Sequence, residues 1–300
     1  VTSSLLSPSS PSGSQADALL QRRAQQARAD AYGAGGAVAN GERGVPTLLC
    51  ASGRGGSGTT LLSALLAVSA AGDGYRVLLI DADEHVGPLS MLLGVTARAS
   101  WQDLRGGRVS PVQAATPIST TLTLMAGGAA RLAPAGGVTI TAAERRACLR
   151  RVSVLAQGMD LVVIDCGARF DTVAAAITPH ADERLLAVAA GADPIGLAAT
   201  YALCKAVHAR HGALPLDVLV NRHEGSEAIR CFDAIDAGAR QFLGTSLRFA
   251  GAIPTDPTLD AALRAGMPFP DAAAGSPAAI AAHEAVMRTL AGTSPTRPGV

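Results

Sequence analysis

The sequence predicts an α/β fold built on a mostly parallel sheet with helices on both faces. Three observations carry this prediction. Short continuous apolar runs recur at Val45–Ala51, Arg76–Ile80, Leu122–Met125, Leu161–Ile164, Arg184–Ala189, Leu216–Val220 and Phe249–Ile253. Helix-length segments separate most of them, the pattern of βαβ units whose strands are buried on both faces. Gly53–Thr60, Asp81 and Asp83, Asp165, Asn221 and Pro254 all fall where a run ends, and in such sheets ligands sit beyond the C-terminal ends of the strands.

Taken in order, Val45–Ala51 runs into a glycine-rich loop and then a helical stretch, Thr60–Ala71. Arg76–Ile80 ends in Asp81, and Leu161–Ile164 ends in Asp165. Helices are expected over about 142–157, 195–210, 225–243 and 277–290 from apolar periodicity. Residues 45–291 therefore read as one domain. Residues 1–44 read as a flexible N-terminal segment: a Ser/Pro-rich start, a short helix over Gln15–Arg28 and a Gly/Ala linker. Residues 292–300 read as a disordered tail.

Composition narrows the function. Apolar residues make up 48% of the 300 and aromatics only 3%, so the core is built from Ala, Val, Leu and Ile. A formal net charge of +1 gives no support for a nucleic-acid binder. The single lysine is Lys205; every other cationic side chain among Lys and Arg is arginine. The five cysteines form no C-x-x-C pair or His/Cys cluster, and Cys50 and Cys166 read as small core residues. No signal peptide or run long enough to span a bilayer is evident, which points to the cytoplasm.

The loop Gly53-Arg54-Gly55-Gly56-Ser57-Gly58-Thr59-Thr60 matches G-x-x-x-x-G-K-[ST] at every fixed position but the lysine, which is Thr59. Glycines let the backbone curl so that its N–H groups point at phosphate oxygens, and the helix N-terminus that follows favours negative charge. Thr60 stands where a hydroxyl would ligate Mg²⁺. An ordinary glycine-rich strand-to-helix turn is the competing reading. Asp81-Ala82-Asp83 at one strand end could organise Mg²⁺ and a water, and Leu161–Asp165 has the form of a Walker B strand.

These segments together resemble the MinD/ParA class of P-loop ATPases. Arg54–Thr60 resembles its deviant Walker A loop, Val77–Gly94 its second strand and first switch, Asp160–Ala168 its Walker B segment, and Val220-Asn221-Arg222 its adenine-recognising V-N-R. Phe242–Phe269 with Gly275-Ser276-Pro277 is similar to the closing region of the flagellar-number (FlhG/FleN-like) branch. The resemblance implies ATP/ADP and Mg²⁺ as cofactors. It implies Asp83 and Asp165 as catalytic acids, and Thr60 and Asp83 at the metal. Arg54, Gly55, Gly56, Ser57, Gly58, Thr59, Thr60, Asn221 and Pro254 are the nucleotide-binding positions it implies. Ser14–Leu20 keeps Gln15, Ala16 and Leu19 of that branch's N-terminal motif, which acts on a signal-recognition-particle-type GTPase.

The departures shape the expected function. Arg54 replaces the lysine that reaches across an ATP-sandwiched dimer in this class, and Thr59 replaces the lysine on the β- and γ-phosphates. Positioned charge is most of phosphoryl-transfer catalysis, so nucleotide binding is expected to be weak and hydrolysis very slow or lost. The expected role is a regulator of flagellar number or placement. Its implied partners are the flagellar GTPase, basal-body or regulator proteins and a nucleotide-dependent homodimer. An active ATPase in which Arg54 supplies the charge, and a partition or polar-positioning protein, are the alternatives. The helix Pro277–Leu290 puts Ile280, His283, Met287 and Leu290 on one face with few charges, so it should pack on the sheet, with weak or no membrane binding and any polar placement coming through partners.

Overall fold

The structure is a computed structural model and describes residues 45–84, 86–128, 140–177, 182–190, 193–212 and 214–291. The N-terminal segment with Gln15, Ala16 and Leu19, and the expected tail, lie outside the described residues. Among the described residues eight strands form one sheet: β1 (Pro46–Ser52), β2 (Val77–Asp81), β3 (Thr116–Pro117), β4 (Leu122–Met125), β5 (Leu161–Gly167), β6 (Asp182–Ala190), β7 (Leu216–Asn221) and β8 (Arg248–Ile253). Their order is β3-β4-β2-β5-β1-β6-β7-β8, and every pairing is parallel except the short edge pair of β3 with β4.

Alternation along the strands divides the core into two layers. Leu49, Ala51, Leu78, Ile80, Val162 and Ile164 face one layer. It is covered by α3 (Trp101–Arg105), α5 (Ala142–Val152), α6 (Phe170–Ala176), α7 (Pro194–Arg210) and α8 (Gly225–Leu243), with α4 (Pro111–Ala114) at its margin. Leu48, Cys50, Val77, Leu79, Leu161 and Val163 face the other. That side is covered by α1 (Thr59–Gly72), α2 (Pro88–Leu92), α9 (Pro257–Arg264), α10 (Phe269–Ala273) and α11 (Pro277–Leu290). All five cysteines are free and buried.

Most expected elements stand within a residue or two of their expected ends. The stretch 142–157 is an exception: α5 stops at Val152 and continues as a 3-10 turn, Ser153–Ala156. The last helix packs through a different face from the apolar one read in the sequence. Ala278, Ala282, Ala285, Val286 and Thr289 are buried, while Ile280 is 55% exposed. Small side chains let α11 approach α1 and β8 closely, and the bulkier Ile280 is left outside. Among the described residues, no helix is long and apolar enough to cross a membrane.

Candidate functional site

The site forms where β2, β5, β1, β6 and β7 end. β1 delivers the loop Gly53–Gly58, and α1 begins at Thr59 with Gly58 as its left-handed N-cap, φ 83°. A Cβ on Gly58 would lie 2.5 Å from the Asn221 amide nitrogen, and one on Gly53 only 2.0 Å from the Ala199 carbonyl oxygen. By contrast, Cβ positions on Gly55 and Gly56 meet open space. The loop is thus glycine-dependent where it touches the protein and open where a ligand would lie. It is braced from inside: Ser52 Oγ and Ser57 Oγ both donate to the Arg54 carbonyl, at 2.8 and 3.0 Å. Asn221 Nδ2 donates to the Ser57 carbonyl at 2.9 Å. Asn221 therefore pins the phosphate loop to the end of β7, a contact its place in the V-N-R triplet did not suggest.

Arg54 turns away from the acids. Its Nη2 lies 2.6 Å from Asp193 Oδ2, and Asp193 Oδ1 accepts from Gly196 N at 2.7 Å as the cap of α7. Thr59, in the lysine position, is 6% exposed. Lys205 lies on the exposed side of α7. Pro254 follows β8 directly, and next to it Asp256 caps two helices, accepting from Leu259 N at 2.9 Å and Ala278 N at 3.0 Å.

The acids gather on the α1 side of the sheet. Asp81 and Asp165 are register partners across β2 and β5. Asp81 accepts from Asp83 N at 3.0 Å and Leu89 N at 2.9 Å, so its carboxylate shapes the turn that carries Asp83. Burial pushes its carboxyl up to about 8, reinforced by the charges of Asp165 and Asp83 and opposed by those two amides. Burial also raises Asp165, against the Thr60 hydroxyl, the Gly167 amide and the Ser63 hydroxyl, which favour its charged form. Thr60, Asp83 and Asp165 are thus brought together beside the loop. These residues fit a nucleotide: backbone amides and open glycines for phosphates, and a hydroxyl with two acids where Mg²⁺ would sit.

A second set of charges was not foreseen. Glu84, beside Asp83, is buried and ion-paired with Arg145, itself 3% exposed, through Arg145 Nε and Nη2. Arg145 Nη1 also donates to Asp171 Oδ2 at 2.9 Å, and Asp171 receives Arg169 Nη2 at 3.0 Å. The signal was present in the sequence. Arg145 shares a helical stripe with Cys148, Leu149 and Val152, and a charge on a buried stripe requires a partner.

Comparison with known proteins agrees with this geometry. The CobQ/CobB/MinD/ParA nucleotide binding domain matches residues 48–269. The antiactivator FleN of Pseudomonas aeruginosa is 27% identical over 226 residues, covering 73% of this chain and 77% of FleN. MinD of Aquifex aeolicus, solved in complex with MinC, superposes with a TM-score of 0.64 at 22% identity, covering 84% of this chain and 97% of that one. MinD of Pyrococcus horikoshii, solved with Mg-ADP, gives 0.59 at 19% identity, with 81% and 94% covered. With residues 48–269 matched and the glycine-rich loop, the strand-end acids and the parallel sheet in place, this chain belongs to the CobQ/CobB/MinD/ParA nucleotide-binding domain family.

Proposed function

We propose that this chain is a MinD-like regulator of flagellar number or placement that binds adenine nucleotide weakly and hydrolyses it very slowly or not at all. The observation that carries the reading is the phosphate loop itself. Its glycine conformations, hydroxyl and flanking acids are intact, while the residue in the lysine position is a neutral, buried threonine. A loop built from backbone amides can hold phosphate without a side-chain cation, but phosphoryl transfer depends on charge placed at the γ-phosphate. Gly55–Thr60, Asn221 and the Pro254 region form the nucleotide site, with Mg²⁺ at Thr60 and Asp83. The flagellar assignment is supported by the likeness to FleN. The signal-recognition-particle-type GTPase, basal-body or regulator proteins and a second copy of the chain are its proposed partners. Its place is the cytoplasm, reaching a pole or membrane through them.

Arg54 is a poor replacement cation, because its guanidinium is directed at Asp193 on the β6 side of the loop. Calorimetric titration with ADP and ATP in Mg²⁺ tests the reading, together with steady-state turnover. Weak binding of both, negligible turnover and tighter binding by Thr59→Lys are expected. Turnover of about 1 s⁻¹ or more, abolished by Asp83→Ala, would show a working ATPase. A pull-down of the GTPase with full-length protein, compared with protein lacking residues 1–30, tests the partner. Equal binding would move the contact onto the domain.

A further inference from the structure

Sheet order brings one more cation to the strand ends that carry the loop and the acids. β5 lies between β1, which feeds the phosphate loop, and β2, whose end leads to Asp83. The segment leaving β5 therefore starts between loop and acids, Gly167 being the register partner of Ala51, and carries one cationic residue before α6. Arg169 is that residue, two positions beyond Gly167 and directly before α6. Its side chain is 46% exposed, and its guanidinium is aimed by acids: Nε lies 3.3 Å from Asp171 Oδ1, Nη2 3.0 Å from Asp171 Oδ2, and Nη2 3.7 Å from Glu84 Oε1. Among the described residues Nη1 has no ion pair or hydrogen bond, and it is the edge left for a ligand.

We infer that Arg169 contacts the terminal phosphate of a nucleoside triphosphate held by the Gly55–Thr60 loop, providing charge there that Thr59 cannot. This rests on the nucleotide-binding reading above. The other cations near the site are less suited. Arg145 is buried between Glu84 and Asp171. Arg54 points toward Asp193 beyond β6, and β6 is three strands from β2, about 14 Å at ordinary strand spacing. Arg169 also lies within the field of Asp83, since Asp83 is among the charges that favour its protonated form after Asp171 and Glu84. A triphosphate brings more negative charge than a diphosphate toward a mouth already holding Asp83, Asp165 and Glu84, so the extra phosphate needs a local cation. With Nε and Nη2 held by Asp171, Nη1 would meet the phosphate through a single charge-assisted hydrogen bond.

The test is calorimetric titration of the full chain with ADP and with a non-hydrolysable ATP analogue, both in Mg²⁺. Wild type is compared with Arg169→Gln, which keeps a donor for Asp171 without the charge, with Arg169→Ala and with Arg169→Lys. Melting curves confirm that each variant is folded. Removing the charge should weaken the triphosphate about tenfold or more, as for a lost charge-assisted hydrogen bond, with ADP changed by less than about twofold; Arg169→Lys should recover part of the loss. An unchanged triphosphate affinity, or an equal loss for both nucleotides, would overturn the inference while leaving the nucleotide-binding reading intact. Wild type that binds neither nucleotide would overturn that reading, and the inference with it.

Discussion

Toward β6 and β7, the phosphate loop is held by neutral or exposed contacts: the Asn221 amide on the Ser57 carbonyl, and Arg54 with Asp193, both about two-fifths exposed. Toward β2 and β5, it faces buried acids: Asp81 and Asp165, whose carboxyls burial raises, and Glu84 locked on Arg145. The two sides respond to different forces. The first depends on backbone shape, which losing a lysine does not disturb. The second depends on charges with little access to water, where each unpaired group is costly. Thr59 leaves the glycine-built shape of the loop intact and adds no charge to offset the acids beside it.

The largest expected effect lies on the charged side. Arg145→Met takes from the buried Glu84 carboxylate its closest ion-pair partner and leaves Arg169 at 3.7 Å, and breaking such a buried pair costs about 3–5 kcal/mol. Urea denaturation reads it directly. The double variant Arg145→Met/Glu84→Leu should recover most of the loss, because an apolar pair needs no compensation. A single variant that loses under about 1 kcal/mol would show the pair to be as dispensable as a surface one.

The next effect follows from Asp81. Its folded-state carboxyl is raised from 3.8 to about 8. Between those limits the folded protein holds a proton that the unfolded chain has released, so stability falls as pH rises through the window. The slope is at most about 1.4 kcal/mol per pH unit for one proton. Melting temperature without nucleotide should therefore drop from pH 5 to 8, and Asp81→Asn should flatten the drop. A melting temperature that rises over that range would mean the Leu89 and Asp83 amides outweigh burial.

Much of this was legible in the sequence, and the parts that were not have physical reasons. Continuous apolar runs located every strand but β3, whose two residues are too short to carry a pattern. Helix bounds at Gly225–Leu243 and Pro277–Leu290 stand as expected, because a following Gly244 and a capping Ser276 mark them. The face α11 buries was less legible: hydrophobicity singled out Ile280, but close approach to α1 selects alanine. The P-loop positions and acids converge as their placement at strand ends implied. The direction of Arg54 and the contact of Asn221 with the loop join residues 139 and 164 positions apart, and no local pattern announces such contacts; Arg145 on the buried stripe of α5 signals a buried partner without pointing to Glu84, 61 positions away.

On the neutral side, Gly58→Ala tests shape. The position combines φ 83° with a Cβ 2.5 Å from the Asn221 amide. The left-handed conformation alone costs a residue with a Cβ about 1–2 kcal/mol, and the clash displaces the Asn221 contact. Nucleotide affinity should fall by about tenfold, the equivalent of about 1.4 kcal/mol, in the same titration used for the wild type. Gly55→Ala, with open space around its Cβ, should leave folding stability almost unchanged, which separates the cost of the loop's own conformation from that of its ligand face.

The smallest expected effect is at Arg54 and Asp193, and it sharpens the contrast most. Their 2.6 Å pair is exposed at both partners, so water and salt screen it, and such pairs contribute about 0–1 kcal/mol. Arg54→Ala should change stability by less than about 0.5 kcal/mol. Asp193→Ala should cost more, about 1 kcal/mol, because Asp193 also caps α7 through Gly196 N. A double-mutant cycle isolates the pair from the cap, and raising the salt should shrink its coupling further. For nucleotide, Arg54→Ala should weaken ADP and the ATP analogue by similar, small factors, since its guanidinium faces β6 and not the acids. If Arg54→Ala instead abolished binding of the ATP analogue while Arg169→Gln did not, the active cation would sit on the shape-built side of the loop, and the division of labour drawn between the two sides would be reversed.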